Sequence, residues 1–140
     1  MTIRQTKIEE LDKVLEFYKT CSYSGGATQD DLIICAEMDN IIVAVVRLCN
    51  ENQTLVLRGM QVDKQFQRQG IGKKLLSRLD KIIDTQTCYC IPYGHLEKFY
   101  SSIGFKKVDS NKIPDHLFKR LCKYSLKYPN MLIMKKQHHA

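Results

Sequence analysis

The first half of this chain combines two hydrophobic spacings, one typical of a helix and one typical of strands. Residues 2–6 predict a short strand, and apolar residues then recur every three or four positions, which predicts an amphipathic helix. The residues on its predicted core face are Ile8, Leu11, Val14, Leu15 and Tyr18. Thr6 and Glu9 fit a capping box at its beginning, with the threonine as the cap.

Three segments rich in β-branched residues follow, at 32–38, 41–49 and 54–62. Asp39-Asn40 separates the first two, and residues 50–52 separate the second pair; both breaks have the polar composition of hairpin turns. The pattern therefore predicts an antiparallel meander of three strands. The small, polar segment at 22–28 is predicted to be a loop.

The second half of the chain alternates helical and strand patterns. A glycine turn at 67–72 precedes a helix that runs to about Asp84 and has one apolar stripe. Three further strands are predicted, at 87–91, 105–108 and 130–135. A helix is predicted at 95–103 with Gly104 as its left-handed cap, and Pro114 favours the beginning of an inserted helix.

These elements predict an α/β fold with a mixed, mainly antiparallel central sheet of about six to seven strands flanked by helices. A chain of 140 residues is long enough for one core, so a single domain over 1–140 is predicted. The longest apolar run, 41–46, suits a strand and is too short to span a membrane. Charged residues from Arg4 onward argue against a signal peptide, and a cytoplasmic protein without membrane association is expected.

The six cysteines and the net charge add little to this picture. Only Cys88 and Cys90 lie close together, and the spacing fits neither a zinc site nor a disulfide framework, so structural thiols and no metal are expected. The formal net charge of +7 is concentrated at 64–81 and 112–136. Nucleic acid is nevertheless not the expected partner, because aromatic residues do not interleave with the basic ones.

The glycine turn is the first sign of chemistry. Residues 67–72, with the sequence QRQGIG, lie between a predicted strand and a predicted helix. The first N–H groups of a helix lack partners within it, the helix dipole adds positive charge, and glycine lets an anion approach closely. A phosphorylated ligand is expected here. The P-loop motif does not fit Gln67 and Lys74, and the dinucleotide fingerprint does not fit Leu75.

Together with a later segment, this turn resembles the GCN5-related N-acetyltransferase (GNAT) family. Gln67, Gly70 and Gly72 match the family's Gln/Arg-x-x-Gly-x-Gly/Ala loop, which binds acetyl-CoA. Tyr100 begins the segment YSSIGF, which matches the family's Tyr-x-x-x-Gly-Phe pattern. The order of elements also agrees over nearly the whole chain, so the resemblance implies a GNAT-like fold.

The resemblance implies acetyl transfer from acetyl-CoA, the co-substrate, to a primary amine by direct attack. Backbone groups of Met60, Gln61 and Val62 would pair with the pantetheine arm of the cofactor. Gly59 would permit a bulge that opens this strand from the one at 87–91. The pyrophosphate contacts would come from the turn and the first helical residues, which are Gln67, Arg68, Gln69, Gly70, Ile71, Gly72 and Lys73.

Tyr100 corresponds to the residue that protonates the leaving thiolate in the family. A phenol, with a pKa near ~10, can donate that proton near neutral pH. The alternative interpretation makes Tyr100 a core aromatic on an amphipathic helix, and the match of Gly104-Phe105 favours the acid. The general base is not identified, because the strand at 54–62 holds no carboxylate. The conceivable bases are a water chain or one of Glu37, Glu51, Asp63, His95 and Glu97.

The sequence leaves the acceptor open, and it leaves three classes of function. The first is an N-acetyltransferase that acts on a small-molecule or peptide amine, with a homodimer as one state to test. The second is a non-catalytic acetyl-CoA-binding sensor or regulatory module, which the missing base favours and Tyr100 disfavours. The third is a basic nucleic-acid-binding domain.

Tyr93 stands where many relatives carry Asn, which affects the placement of the cofactor.

Overall fold

The computed structural model describes residues 1–137, which contain seven β-strands and four α-helices. The chain divides into two compact units, one from Met1 to Asp84 and one that begins at Thr85. This division does not test the single domain expected over 1–140, which stays a prediction. His138, His139 and Ala140, to which we assign no function, lie outside the described residues.

Four strands of the first unit form an antiparallel sheet in chain order. They are β1 (Thr2–Gln5), β2 (Leu32–Met38), β3 (Ile41–Glu51) and β4 (Thr54–Val62). The predicted meander of β2, β3 and β4 is confirmed. Asp39-Asn40 has positive φ at both residues, as a tight hairpin turn requires. The second turn lies at Asn52-Gln53, so β3 is longer than predicted.

The first helix begins later than its apolar pattern indicates. A 3-10 turn at Ile8–Glu10 precedes α1 (Leu11–Thr20). A 3-10 turn has fewer residues per turn than an α-helix, so Ile8 leaves the apolar face and is 71% exposed. The prediction that Ile8 and Leu15 lie in the core is therefore wrong. The buried residues of α1 are Val14, Phe17 and Tyr18.

The cap of this helical segment also lies one residue later than predicted. Instead of Glu9 reaching back to Thr6, the Glu10 Oε1 atom accepts a hydrogen bond from the backbone N–H of Lys7 at 2.8 Å. The physical reason is Arg4, whose guanidinium donates two hydrogen bonds to the Glu10 carboxylate, at 2.8 and 2.6 Å. The hydrogen bonds from Arg4 and Lys7 lower the pKa of Glu10 to about 2.

The helix after the glycine turn forms as predicted. It is α2 (Ile71–Ile83), and it packs against β2, β3 and β4. Its buried residues are Ile71, Leu75, Leu76, Leu79 and Ile83. Because this stripe anchors α2 along its whole length, the first turn of the helix is held in a fixed position relative to the end of β4.

Three short strands of the second unit form an antiparallel sheet in the order β5-β7-β6. They are β5 (Cys88–Cys90), β6 (Phe105–Lys107) and β7 (Met134–Lys136). The helix predicted at 95–103 is a 3-10 turn followed by the short α3 (Glu97–Ser101). Gly104, which follows α3, has a φ of +102°, in agreement with the predicted left-handed cap. The inserted helix is α4 (Asp115–Lys127), with Pro114 at its N-cap.

The cysteines in the strands behave as small apolar residues. Cys35, Cys49, Cys88 and Cys90 are buried in β2, β3 and β5, as predicted. All six cysteines are free, and residues 1–137 contain no group of three or more His, Cys, Asp or Glu residues that could hold a metal ion. None of the described helices is both long and apolar enough to cross a membrane.

The two leucines at opposite faces of α4 provide a test of how the inserted helix packs. Leu117 is 0% exposed and Leu126 is 91% exposed. We expect Leu117→Ala to lower the free energy of unfolding by about 3 kcal/mol, because it leaves a cavity in a packed site. Leu126→Ala on the same helix should change it by less than about 0.5 kcal/mol. Equal losses in urea unfolding would show that α4 does not pack as described.

Candidate functional site

The segment that joins β4 to α2 is held by its own polar groups. Asp63 donates its backbone N–H to the carbonyl of Val43 at 2.8 Å, which continues the sheet past the end of β4. Its Oδ1 atom accepts from the backbone N–H of Gln65 at 2.9 Å. The side chain of Gln67 donates to the carbonyl of Val62 at 3.1 Å. The turn is therefore fixed before any ligand binds.

The first turn of α2 has the open geometry of an anion site. Gly70, the N-cap residue, has a φ of +80° and so occupies the left-handed region. The N–H of Lys74 donates to the carbonyl of Gly70 at 3.2 Å, whereas Ile71, Gly72 and Lys73 precede this first helical bond. The first turn holds no acidic residue among its described side chains. Backbone donors and the positive end of the helix dipole therefore face the same point.

Space above the turn is also available. A Cβ atom built at Gly70 meets no heavy atom of the described chain within 4 Å. Arg68, Gln69 and Lys73 are exposed, whereas the side chain of Ile71 is buried in the core. Ile71 can therefore contribute only its backbone to a ligand. The residues present fit the diphosphate of a nucleotide cofactor, which requires donors, positive charge and room.

The bulge that Gly59 is expected to permit is present in the ladder between β3 and β4, and the opening of β4 from the strand at 87–91 stays a prediction. In the ladder between β3 and β4, Val45 faces Gln61 and Arg47 faces Arg58. Val46 therefore lies opposite two residues of β4, Gly59 and Met60, instead of one. Gly59 has a φ of +68°, which a residue with a side chain adopts only with strain. The backbone of Met60, Gln61 and Val62 thus follows directly after a local interruption of the ladder.

A buried arginine lies behind this bulge. Arg47 is 3% exposed. Its Nη1 atom lies 3.0 Å from Oδ2 of Asp31, and its Nη2 atom donates to the hydroxyl of Tyr23 at 3.0 Å. Its Nε atom donates to the hydroxyl of Tyr18 at 3.3 Å. Sequence reasoning missed this group, although one signal was available: Arg47 interrupts an otherwise apolar strand.

The electrostatics of this group are those of a compensated buried charge. Burial alone would raise the pKa of Asp31, but hydrogen bonds from the backbone of Thr28 and from Arg47 outweigh it and lower that pKa. Burial raises the pKa of Tyr18, more than the nearby Arg47 charge lowers it. Tyr18 therefore keeps its proton at physiological pH, and Asp31 stays charged.

Tyr100 lies on α3 in the second unit. It is 5% exposed, and its ring makes edge contacts with Phe99 and Phe105, with centroids 5.0 and 6.1 Å away. The packing role that its position on an amphipathic helix predicts is confirmed. Its role as leaving-group acid stays a prediction. Tyr93, by contrast, is 42% exposed and stacks on His95 with centroids 5.7 Å apart.

Each residue considered as a general base has a structural partner. The carboxylate of Glu37 lies 2.9 Å from a nitrogen of Arg4, and that of Glu51 lies 3.3 Å from a nitrogen of Arg58. The carboxylate of Glu97 lies 4.0 Å from Nζ of Lys107. Asp63 caps a 3-10 turn, and His95 stacks on Tyr93. The base is therefore left unassigned.

Several solved structures share this architecture. An acetyltransferase of the GNAT family from Staphylococcus aureus Mu50 is 17% identical, with 96% of this chain and 97% of that chain covered at a TM-score of 0.66. The PaiA N-acetyltransferase from Thermoplasma acidophilum, solved in complex with coenzyme A, is 18% identical, with 98% of each chain covered at a TM-score of 0.64. These similarities show the fold alone, and they confirm the predicted α/β, GNAT-like fold.

A third structure contains the fold as part of a longer chain. N-acetylglutamate synthase from Neisseria gonorrhoeae, solved with coenzyme A and N-acetyl-glutamate, is 15% identical and has a TM-score of 0.68. The match covers 99% of this chain and 35% of that one. No curated protein sequence matches the chain significantly.

The family itself is shown by sequence. A family model described as an acetyltransferase (GNAT) domain matches residues 2–119, which is most of the chain. The chain therefore belongs to the GNAT acetyltransferase family. The match includes the bulged strand β4, the glycine turn and Tyr100.

The buried ion pair behind the bulge predicts a specific loss of stability. We expect Asp31→Asn to lower the free energy of unfolding by about 3 kcal/mol, because Arg47 would keep a buried charge without its counter-ion. Asp30→Asn, an exposed neighbour, is the control and should be nearly neutral.

The same pair predicts a dependence on pH. The folded-state pKa of Asp31 is lowered, so its contribution is complete above the unfolded value of about 4 and is lost as pH falls through the folded value. Wild-type protein should therefore lose more stability than Asp31→Asn when pH falls below about 4. If the free energies of unfolding of wild type and Asp31→Asn, measured in urea, changed in parallel with pH, the lowered pKa of Asp31 would be contradicted.

Proposed function

We propose that this chain is an N-acetyltransferase, which transfers the acetyl group of acetyl-CoA to a primary amine by direct attack. The observation that carries the proposal is the first turn of α2, which follows Gly70, receives no hydrogen bond from a capping side chain and adjoins the bulged strand β4. Membership in the GNAT family supports the same reaction. The structures solved with coenzyme A belong to other proteins that share the fold.

The diphosphate of the co-substrate is proposed to bind at the beginning of α2. The N–H groups from Gln67 to Lys73 would donate to its oxygens, as unpaired helix amides do for phosphate in other proteins. Gly70 supports this because its missing side chain leaves the approach open. Arg68 and Lys73, both exposed, add positive charge nearby. Gln69, Ile71 and Gly72 would contribute backbone only.

The pantetheine arm is proposed to pair with β4. Its amides would extend the ladder along Met60, Gln61 and Val62, in the manner of an added strand. The bulge at Gly59 supports this, because a bulge leaves backbone groups of the strand without their regular partners. An N–H group at this point would also polarise the thioester carbonyl during attack.

The reaction requires one bond to form and one to break. The amine nitrogen bonds to the acetyl carbon, and the carbon–sulfur bond breaks. The amine nitrogen also loses a proton, and the CoA thiolate gains one. Tyr100 is the proposed donor of the second proton, by its place in the family motif. The acceptor of the first proton is a water chain or a residue not yet assigned.

One specific observation keeps the sensor hypothesis as a second candidate. The conceivable bases have structural partners, and β4 contains no carboxylate. A sensor would bind acetyl-CoA with the same residues and would transfer nothing. The release of free CoA thiol across a library of polyamines, amino acids and peptides separates the two, because only an enzyme produces thiol in proportion to the amine.

Gly70→Ala tests where the co-substrate binds. We expect calorimetry to show acetyl-CoA binding to the wild-type protein and roughly tenfold weaker binding to the variant, because a methyl group would occupy the approach of the diphosphate. The matched control is Gly26→Ala. Gly26 has a φ of +74°, similar to the +80° of Gly70, and a Cβ atom at either residue meets nothing within 4 Å.

The two glycine variants separate the site from the backbone effect. Both should lose about 1–2 kcal/mol of stability, since alanine is strained at positive φ. Only Gly70→Ala should lose affinity. Equal affinity in the two variants would place the diphosphate elsewhere, and no heat of binding for the wild-type protein at millimolar acetyl-CoA would overturn the proposed function.

Tyr100→Phe tests the proposed acid. The ring contacts with Phe99 and Phe105 remain in the variant, so we expect stability and acetyl-CoA affinity to change little. Turnover with any amine that supports it should fall about 100-fold, the usual size of a general acid effect. Unchanged turnover across the pH range would show that Tyr100 is not the acid and has a packing role only. Tyr89→Phe, another buried tyrosine of the second unit, is the control.

A further inference from the structure

We propose that Tyr18 is a positioning residue whose hydroxyl fixes the direction of the Met60 N–H, so that this N–H can donate to the carbonyl oxygen of an acyl-CoA thioester. The inference rests on the proposed function and adds a residue to its site. Tyr18 lies on α1, far from the matched motifs in sequence.

The geometry connects Tyr18 to the bulge directly. The Tyr18 hydroxyl donates a hydrogen bond to the carbonyl of Gly59 at 2.8 Å. That carbonyl and the N–H of Met60 belong to one peptide group, which is planar and trans, so they point in opposite directions. Holding the Gly59 carbonyl therefore also holds the Met60 N–H.

The contact depends on glycine at position 59. A Cβ atom there would lie 2.3 Å from the Tyr18 hydroxyl oxygen and 2.9 Å from Nε of Arg47. Gly59 thus serves two purposes: it adopts a φ of +68°, and it lets the phenol approach the backbone. Positive φ alone does not bring such an approach, since a Cβ atom at Gly26 or Gly70, which also have positive φ, meets nothing within 4 Å.

The hydroxyl of Tyr18 has little freedom to turn elsewhere. Tyr18 is 1% exposed, and its ring lies 4.5 Å from the ring of Tyr23 and 5.7 Å from the guanidinium carbon of Arg47. Nε of Arg47 donates to the hydroxyl oxygen, which leaves the hydroxyl proton for Gly59. The orientation of the peptide group is therefore set by the core of the first unit.

The same contacts form a polarised chain. Asp31 pairs with Arg47, Arg47 donates to Tyr18, and Tyr18 donates to the Gly59 carbonyl. Hydrogen bonds in series strengthen one another in a buried environment. Withdrawal of electron density from the Gly59 carbonyl makes the attached Met60 N–H a stronger donor. An N–H donor matters most when negative charge develops on the carbonyl oxygen under attack.

The test compares Tyr18→Phe with wild-type protein by infrared spectroscopy of bound acetyl-CoA labelled with ¹³C at the acetyl carbonyl. We expect the carbonyl band of the wild-type complex to lie at lower wavenumber than that of free acetyl-CoA, and to move back toward the free position in Tyr18→Phe. The affinity for CoA, which has no acyl carbonyl, should stay within about twofold. Turnover should fall roughly tenfold at unchanged KM for acetyl-CoA.

Tyr23→Phe is the matched control. The variant loses a hydroxyl that accepts a hydrogen bond from the same arginine, and the ring at this position still packs on Tyr18. The hydroxyl of Tyr23 bonds to Arg47 rather than to Gly59. The carbonyl band should therefore stay at the wild-type position in this variant. Equal bands in wild type, Tyr18→Phe and Tyr23→Phe would overturn the inference.

A measurement on the wild-type protein covers the case in which Tyr18→Phe does not fold. Acetyl-CoA should shift the amide proton of Met60 downfield in NMR spectra, and CoA should shift it clearly less. An identical response to both ligands would overturn the inference and leave the proposed function intact. The proposed function fails separately, if calorimetry detects no binding of acetyl-CoA at all.

Discussion

The burial of one charged residue, Arg47, is the constraint on which the site depends. A guanidinium in the middle of a sheet is stable only when each of its donors finds a partner. Asp31, Tyr18 and Tyr23 provide those partners from the loop before β2, from α1 and from the segment after α1. The first unit is therefore organised around a polar centre as well as an apolar core, and the bulge of β4 rests against that centre.

The polar centre and the glycine turn act on the two ends of one segment. At one end, Tyr18 holds the carbonyl of Gly59 and fixes the bulge. At the other end, Gln67 and Asp63 close the turn that leads into α2. The backbone between them is thus presented in a single conformation, and preorganised donors lose little freedom when a ligand binds. The proposed binding of the co-substrate through backbone groups would gain directly from this rigidity.

Local patterns predicted most of the fold. The meander, the amphipathic α2, the bulge at Gly59 and the inserted helix α4 each follow from residue type and spacing, which act over a few positions. The errors occurred at the beginning of the first helical segment, where a contact with β1 decided the outcome. Arg4 on β1 draws Glu10 into a cap that local rules gave to Glu9, and a 3-10 turn moves Ile8 to the surface.

The sequence by itself determined the family, the fold class and the segments that match the acetyl-CoA motif, because those motifs are contiguous and depend on backbone requirements of glycine. Only the tertiary structure revealed that Arg47 is compensated, that Tyr18 contacts Gly59, and that the conceivable bases already have partners. The contacts of Arg47 and Tyr18 join residues 16 to 41 positions apart. Hydrogen-bond partners at such separations follow from packing, which no local pattern encodes.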